Sequence, residues 1–263
     1  MKIGICQLNI IWEDKEATKK KVEKFLKEAK AKEADIVFFP EMTLTGFSMH
    51  VEKTRDKQYG DTIGQFQHIC REIGIGAGFG WVEGPEAGKE NKKAKNHYTI
   101  VDDAGVLLSD YVKIHPFSYG AEAKHFEGGN QIVHCEYKGH KIGTAICYDL
   151  RFPELFRLME SDCSLFLIPA NWPAARSAHW RCLLQARAIE NQVYVAGINC
   201  VGQMEKQYYS GNSMFLNPLG ESLGELVDEE GLLLCDISND VEKYRTEFPV
   251  RKDQKIQIRK MEE

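Results

Sequence analysis

The chain has 263 residues, of which 43% are hydrophobic, 28% are charged and 10% are aromatic. This length suffices for one large domain or two small ones, and the composition is typical of a globular protein rather than a disordered chain. The formal net charge of −5 and the pI near 6.0 argue against binding to nucleic acid or to an anionic membrane.

The sequence predicts a cytoplasmic protein. No apolar run approaches the roughly 18–20 residues that a membrane helix needs, and residues 1–9 lack the regions of a secretory signal. The eight cysteines form no CxxC pair and no cluster with histidines, so neither a disulfide scaffold nor a metal site is expected. We expect most of these thiols to be small buried hydrophobes.

Strands and helices alternate along the chain. Residues 17–32 place apolar side chains at i, i+3, i+4 and i+7 on an otherwise charged segment, which is typical of a surface helix between two strands. In chain order we predict strands at 2–7, 35–39, 74–82, 98–102, 106–114, 131–137, 141–146, 164–168, 193–199, 213–217 and 232–237, and helices at 17–32, 62–73, 152–160 and 177–191.

No linker, low-complexity stretch or internal repeat divides the chain. We therefore predict a single α/β domain over residues 1–263, with a strand-rich core that helices cover on both sides. The charged segment 250–263 is predicted to be a C-terminal extension that lies along an edge of the fold or against another subunit.

Three reactive residues lie at the ends of predicted strands or directly after them. Glu41 comes just after strand 35–39, Lys113 lies near the end of 106–114, and Cys147 directly follows 141–146. Ligands in open α/β folds gather at the carboxyl ends of strands, so these side chains are predicted to share one site. Each also has a structural interpretation, as a capping acid, an edge-strand lysine and a buried thiol.

A glutamate, a lysine and a cysteine are together sufficient for acyl transfer through a thioester. A thiol becomes a strong nucleophile as the thiolate, which a helix N-terminus and a nearby ammonium both favour. The carboxylate can take the thiol proton and return it to a leaving amine. The ammonium can stabilise the oxyanion that forms when sulfur attacks a carbonyl.

Three segments resemble the signature segments of the nitrilase superfamily of carbon–nitrogen hydrolases, in the order found there. They read Phe-Phe-Pro-Glu-Met-Thr-Leu-Thr-Gly at 38–46, Tyr-Val-Lys-Ile-His-Pro-Phe at 111–117 and Cys-Tyr-Asp-Leu-Arg-Phe-Pro-Glu at 147–154. The likeness extends over about residues 2–234. It is greatest to the omega-amidase branch, which includes bacterial 2-oxoglutaramate amidases, in the segment Ala-Asn-Trp-Pro-Ala-Ala-Arg-Ser-Ala-His-Trp at 170–180.

The resemblance implies a four-layer α-β-β-α sandwich that pairs into a homodimer and needs no cofactor. It makes Cys147 the nucleophile, Glu41 the general base and Lys113 the cation beside the oxyanion. The backbone N–H of Tyr148 is then the second oxyanion donor.

The resemblance also implies a second glutamate in the loop after the lysine. Glu122 fits the family spacing better than its neighbour Glu127. Its expected role is to orient Lys113 or the water that attacks the thioester, and the alternative is an exposed loop acid.

An omega-amidase acts on a 2-oxo acid that carries a terminal amide, so its site must hold a carboxylate. A guanidinium suits that task, and Arg176 is the candidate, with a surface position as the alternative. Arg151 is closer to the nucleophile in sequence, but the acids beside it favour a structural ion pair. Phe47, Trp172 and Tyr148 are expected to form pocket walls, or else ordinary core.

Several alternatives remain open at this stage. Other substrates for the same residues are N-carbamoyl amines, N-carbamoyl amino acids and deaminated glutathione. His115 raises the possibility of a Cys–His hydrolase, although no separate Asn or Asp is evident to orient it. A non-catalytic relative that acts in protein interaction and a metal-dependent hydrolase are the alternatives from other classes.

Overall fold

The structure is a computed structural model that describes residues 1–57, 60–85, 93–159 and 163–256. The helices are α1 (Lys15–Ala31), α2 (Val51–Thr54), α3 (Asp61–Ile73), α4 (Glu122–His125), α5 (Pro153–Met159), α6 (Ser177–Asn191) and α7 (Val241–Glu247). The strands are β1 (Lys2–Gln7), β2 (Ile36–Phe38), β3 (Gly76–Glu83), β4 (Lys95–Val101), β5 (Leu107–Val112), β6 (His134–Tyr137), β7 (His140–Thr144), β8 (Leu165–Ala170), β9 (Tyr194–Asn199), β10 (Val201–Met204), β11 (Gln207–Leu216), β12 (Ser222–Val227) and β13 (Gly231–Asp236). Within these ranges, no helix is long and apolar enough to cross a membrane.

The strands form two mixed sheets. The first has the order β13-β1-β2-β3-β4-β5, with β1, β2 and β3 parallel and the remaining pairs antiparallel. The second has the order β10-β11-β9-β8-β7-β6, with β7, β8 and β9 parallel and β12 paired to β11. Each sheet therefore contains a parallel centre, whose carboxyl ends offer a place for a ligand.

Alternating side chains pack the two sheets face to face. On β1, Ile3 and Ile5 point into a core that also contains Leu165 and Leu167 of β8, whereas Cys6 points to the outer face. This alternation is the period-two pattern of a strand with both faces buried.

Helices cover the outer face of each sheet. Leu26 of α1 and Phe66 of α3 pack on the first sheet, and Phe156 of α5 and Trp180 of α6 pack on the second. The apolar face of α1 follows from the spacing of its buried residues on an otherwise charged helix. The predicted four-layer α-β-β-α sandwich is confirmed.

The sequence missed elements that bury few apolar residues. β12 is an edge strand without a fully buried side chain, and β10 pairs with the polar first half of β11 in a hairpin. Such segments lack the apolar alternation by which a strand is predicted.

Of the predicted C-terminal extension, 250–263, the structure describes residues 250–256. The rest of it lies outside the described residues. Arg251 near its start donates to the carbonyl of Asn191 at 3.1 Å, at the end of α6.

Candidate active site

The three residues predicted from strand ends lie at one edge of the sandwich. Glu41 follows β2, Lys113 follows β5 and Cys147 follows β7. Two antiparallel steps lead from β3 to β5, so β5 runs in the same direction as β2. The residue after β8, Asn171, contacts Glu41 from the second sheet. The strand ends of both sheets therefore converge on one buried site.

Lys113 pairs with two carboxylates inside the protein. Its Nζ atom lies 2.9 Å from Oε1 of Glu41 and 2.9 Å from both carboxylate oxygens of Glu122. The exposed fraction is 1% for the Lys113 side chain and 0% for both acids. When all three groups are ionised, one negative charge is in excess, so this buried cluster has the capacity to accept a proton.

Burial and proximity shift the pKa values in this cluster. Burial by itself lowers the pKa of Lys113, but the Glu122 and Glu41 carboxylates outweigh it and hold that pKa well above its usual range. Burial raises the pKa of Glu122, although the Lys113 ammonium opposes the shift. Lys113 is therefore a cation at neutral pH, and Glu122 takes up a proton at higher pH than an exposed glutamate does.

The structure places Glu122, rather than Glu127 of the same loop, against Lys113. Glu122 begins α4, and Oε2 of its carboxylate accepts the backbone N–H of Phe117 at 2.6 Å as well as a hydrogen bond from Lys113. Glu127 remains a third exposed and lies 3.9 Å from Nζ of Lys95, away from this cluster.

Cys147 begins a 3₁₀ turn, Cys147–Arg151, with a φ of 47°, a left-handed conformation that is strained for a residue with a side chain. Burial, and after it the Glu41 carboxylate, raises the pKa of the thiol well above its usual range, while Lys113 opposes this. Lys113 thus lowers the pKa of Cys147, as expected for a nearby ammonium, but burial and the Glu41 carboxylate raise that pKa by more. The sulfur is held as a neutral thiol, which needs a base to become a nucleophile.

Asp149 fixes the turn that carries Cys147. Its buried carboxylate accepts the N–H of Ile146 at 3.0 Å, the hydroxyl of Tyr111 at 2.8 Å and the N–H of His115 at 2.9 Å, and lies 2.7 Å from Nδ1 of His115. These bonds tie the turn to β5 and to the residues that follow it.

A cavity of about 210 Å³ opens over Cys147 and Lys113. All four residues predicted to bind substrate line it: Phe47, Tyr148, Trp172 and Arg176. The other lining residues are Trp12, Phe117, Arg151, Asn171, Pro173, Met204, Glu205, Gln207 and Tyr209. Aromatic rings and two guanidinium groups thus form much of the wall, which suits a small substrate with an anionic end.

Arg176 follows β8 in a 3₁₀ turn and is only half-buried. Its guanidinium lies 5.6 Å from the ring centroid of Phe117, and its carbonyl accepts Nε1 of Trp172 at 2.8 Å. It forms no ion pair with any acid in the described part of the chain. The guanidinium is therefore free to pair with a carboxylate in the cavity.

Two interpretations from the sequence are wrong. Arg151 makes no ion pair with Asp149 or Glu154 within the described ranges; its guanidinium lies 4.7 Å from the ring centroid of Trp172 and lines the cavity. The Asp149 carboxylate instead accepts hydrogen bonds from Tyr111, His115 and Ile146. His115 does have an aspartate partner, but its ring stacks on Phe152 at 3.8 Å and does not line the cavity.

The sequence analysis missed two asparagines at the site. Asn96, at the start of β4, donates Nδ2 to Oε1 of Glu41 at 2.8 Å and to Oε1 of Glu122 at 3.2 Å. Asn171 donates its backbone N–H to Oε2 of Glu41 at 2.9 Å and its side-chain amide to the Glu41 carbonyl at 2.6 Å. The position of Asn171 at the end of a parallel strand was an available signal. For Asn96 the sequence offers none, because only strand pairing brings it to the site.

This fold and site define the class of protein. The family model for carbon–nitrogen hydrolases matches residues 2–246, so the chain belongs to the carbon–nitrogen hydrolase family and is an enzyme that hydrolyses carbon–nitrogen bonds. The resemblance stated from the three segments is thereby confirmed.

Individual proteins are similar to the chain over almost its whole length. The chain is 31% identical to a protein named hydrolase in agr operon from Staphylococcus aureus, over 99% of this chain and 100% of that one. It is 31% identical to the 2-oxoglutaramate amidase of Bacillus subtilis, over 95% and 96%. The structure of XC1258 from Xanthomonas campestris, a CN-hydrolase superfamily protein, superposes with a TM-score of 0.89 at 28% identity over 99% of each chain.

Proposed function

We propose that the protein is an omega-amidase that hydrolyses the terminal amide of a small 2-oxo acid, such as 2-oxoglutaramate or 2-oxosuccinamate, and releases ammonia. The observation that carries this proposal is the cavity that Cys147 and Lys113 share with Arg176, which forms no ion pair within the described residues. The likeness to a 2-oxoglutaramate amidase supports the same substrate class.

Cys147 is the nucleophile and Glu41 the base in this proposal. Oε1 of Glu41 already accepts two hydrogen bonds, from Lys113 and Asn96, whereas Oε2 accepts one, from Asn171. The spare lone pair on Oε2 takes the thiol proton as sulfur attacks the amide carbon. The neutral state of the thiol makes this transfer necessary.

Lys113 and the backbone N–H of Tyr148 stabilise the oxyanion. Lys113 uses its ammonium hydrogens on Glu41 and Glu122, and it lines the cavity beside Cys147. Tyr148 is the second residue of its 3₁₀ turn, where N–H groups lack partners within the turn. Lys113 therefore acts on the oxyanion through its positive charge, and Tyr148 acts as a hydrogen-bond donor.

The intermediate then collapses to a thioester. The C–N bond breaks, and Glu41 returns its proton to the leaving nitrogen, so that ammonia departs. Water next attacks the thioester carbon and gives its proton to Glu41, which restores the thiol when the C–S bond breaks. Glu122 keeps Lys113 in place through two hydrogen bonds of 2.9 Å and assists in orienting that water.

Arg176 binds the carboxylate at the other end of the substrate, and Phe47, Trp172 and Tyr148 enclose its short carbon chain. A carboxylate held at one end fixes the distance to the amide at the other, which orients the carbonyl toward Cys147. The lining thereby favours acid amides over neutral amides.

The protein is further proposed to be a single domain over residues 1–263 that acts as a homodimer in the cytoplasm. Ile189 on α6 and Leu219 in the turn before β12 are more than half exposed, at 54% and 55%, and pairing of two copies would cover them. Light scattering coupled to gel filtration tests this; a monomer at micromolar concentration contradicts it.

Ammonia release from a panel of amides tests the substrate. The panel is 2-oxoglutaramate, 2-oxosuccinamate, an N-carbamoyl amine, an N-carbamoyl amino acid and deaminated glutathione, each assayed with and without a chelator. We expect the largest kcat/KM with a 2-oxo amide and no effect of the chelator. Turnover of another member without turnover of the 2-oxo amides contradicts the proposed substrate.

A further inference from the structure

The neutral side-chain amide of Asn96 lies between the carboxylates of Glu41 and Glu122, which also accept hydrogen bonds from the Lys113 ammonium. Nδ2 of Asn96 contacts Oε1 of Glu41 at 2.8 Å and Oε1 of Glu122 at 3.2 Å, and Nζ of Lys113 donates to the same two oxygens at 2.9 Å. Two acceptors and two donors therefore alternate around a closed ring, which we name the acid bridge. Asn96 is 1% exposed, so water does not substitute for its hydrogen bonds.

The orientation of the Asn96 amide is fixed by its neighbours. The nitrogen must face the carboxylates, because the reverse orientation would place acceptor against acceptor. Oδ1 is then buried without a hydrogen-bond partner in the described residues. A buried acceptor without a partner is unfavourable for folding, so stability alone does not explain an asparagine at this position.

Asn96 also contributes through its backbone. Its carbonyl accepts the N–H of Lys113 at 2.9 Å, where β4 pairs with the end of β5. One residue thus contacts both acids through its side chain and the lysine through its main chain.

The hydrogen bonds distinguish the two acids. Each oxygen of Glu122 accepts two donors, since Oε2 receives both Lys113 and the N–H of Phe117. On Glu41, Oε1 accepts two donors, whereas Oε2 accepts only the N–H of Asn171 among the donors that the structure describes. The carboxylate oxygen with capacity for a proton is therefore Oε2 of Glu41.

We propose that Asn96 is a positioning residue for the hydrolysis: it holds Oε1 of Glu41 without adding charge, so that Oε2 is left to exchange a proton with Cys147. A cation in its place would supply the same hydrogen bonds but would neutralise the cluster and weaken the base. This inference rests on the proposed roles of Glu41 and Cys147, but not on the identity of the substrate.

Within the described residues, the titratable groups that belong to the acid bridge or interact with Glu41 include Lys113 after β5, Glu122 on α4, Cys147 after β7, Cys200 after β9 and Tyr209 on β11. Burial, and after it the Glu41 carboxylate, raises the pKa of Cys200 well above its usual range, so this thiol stays neutral. Burial likewise raises the pKa of Cys147 and of Tyr209, so none of these three groups ionises on the acid side of neutrality.

Two substitutions and a matched control test the proposal. Asn96→Asp keeps the shape of the side chain but replaces the N–H donors of the amide with an acceptor oxygen. Asn96→Ala removes the whole side-chain amide. Thr99→Val is the control, because it removes a buried hydroxyl from the same strand. That hydroxyl accepts Nε1 of Trp81 at 2.8 Å and donates to Asp110, but it contacts neither Glu41 nor Glu122. We expect kcat to fall about 10- to 100-fold in Asn96→Ala and further in Asn96→Asp, with KM changed little, and Thr99→Val to retain its kcat.

The decisive readout is the pH dependence of iodoacetamide alkylation at Cys147, followed by peptide mass spectrometry in the absence of substrate. Loss of a hydrogen-bond donor disfavours the charged form of a carboxylate, so the acid-side inflection is expected to move to higher pH in either folded Asn96 variant but not in Thr99→Val. An inflection that stays in place in both Asn96 variants overturns the proposal, whatever their kcat. Because no substrate is used, this outcome is separate from failure of the proposed omega-amidase activity.

Discussion

The backbone N–H of Asn171 donates to Oε2 of Glu41 at 2.9 Å, although 130 residues separate the two in the chain. Glu41 follows β2 in the first sheet and Asn171 follows β8 in the second, so this bond joins the sheets at the site. The same N–H also lowers the pKa of Cys147, against the larger effect of burial. One peptide group thus lies against both the proposed base and the proposed nucleophile. The packing of the two sheets therefore fixes the positions of Glu41 and Cys147 relative to each other.

Replacing the nucleophile should abolish hydrolysis without unfolding the protein. We expect Cys147→Ala to lower kcat at least about 10³-fold, because Cys147 is the only thiol among the described residues that line the cavity. Ammonia release measures the loss, and thermal unfolding verifies the fold. Cys182→Ala is the control, since that cysteine is exposed and should not affect the rate. Activity that survives in Cys147→Ala excludes the thiol mechanism.

Lys113→Met should destabilise the protein most strongly near neutral pH. It leaves Glu41 and Glu122 buried without a cation, which typically costs about 3–5 kcal/mol of unfolding free energy. The pKa of Glu122 is already raised, so its contribution favours folding below the unfolded pKa and is lost as the pH rises through the folded pKa.

Without Lys113 that folded pKa rises further, and the deficit should therefore shrink as the pH falls toward about 4.3, the ordinary value for glutamate. Urea unfolding at pH 7 and pH 5 measures this trend. A deficit that is equal at both pH values, or larger at pH 5, contradicts the buried charge cluster.

Arg176→Ala should impair binding of acid amides selectively. Loss of one charge-assisted contact is expected to raise KM for a 2-oxo acid amide about 10- to 100-fold and to leave KM for a neutral amide nearly unchanged. Steady-state kinetics with both substrates measures the difference. Arg181→Ala, which removes an exposed arginine paired with Glu225, is the matched control. Equal changes for both substrates show that Arg176 does not bind the carboxylate.

The two glutamates of one loop should respond differently to the same change. Glu122→Gln removes a buried carboxylate from Lys113 and is expected to lower kcat by roughly 10²- to 10³-fold. Glu127→Gln removes an equal charge outside the cluster and should retain activity. Comparison of kcat in the two variants measures the difference, and a similar loss in both contradicts the assignment of Glu122.

The sequence predicted helices and strands correctly where their buried apolar side chains recur at regular spacing. The segment 177–191 was predicted to be a helix and is α6, and the strand at 2–7 is β1, since both bury apolar side chains at regular spacing. The short α4, which carries Glu122, was not predicted because four residues give no period to detect. Its position depends on Lys113 and Phe117 rather than on its own sequence.

The candidate site was predictable in part for a similar reason. Glu41 and Cys147 follow strands that the sequence reveals, and the end of a parallel strand is a known position for reactive groups. The contact of Asn96 with Glu41 depends on the register of β3 with β2 and with β4. The position of the Arg151 guanidinium over the ring of Trp172 depends on which donors bond to Asp149 first. Long-range pairing decides both, and a single sequence does not encode it locally.

Intact-protein mass spectrometry during turnover of 2-oxoglutaramate tests the central claim most directly. We predict a transient mass increase equal to the acyl group after loss of ammonia, located by peptide mapping on Cys147 and missing in Cys147→Ala. Steady hydrolysis by a sample that is rapidly quenched and never carries an acyl group on Cys147, together with activity in Cys147→Ala, would contradict the thioester mechanism.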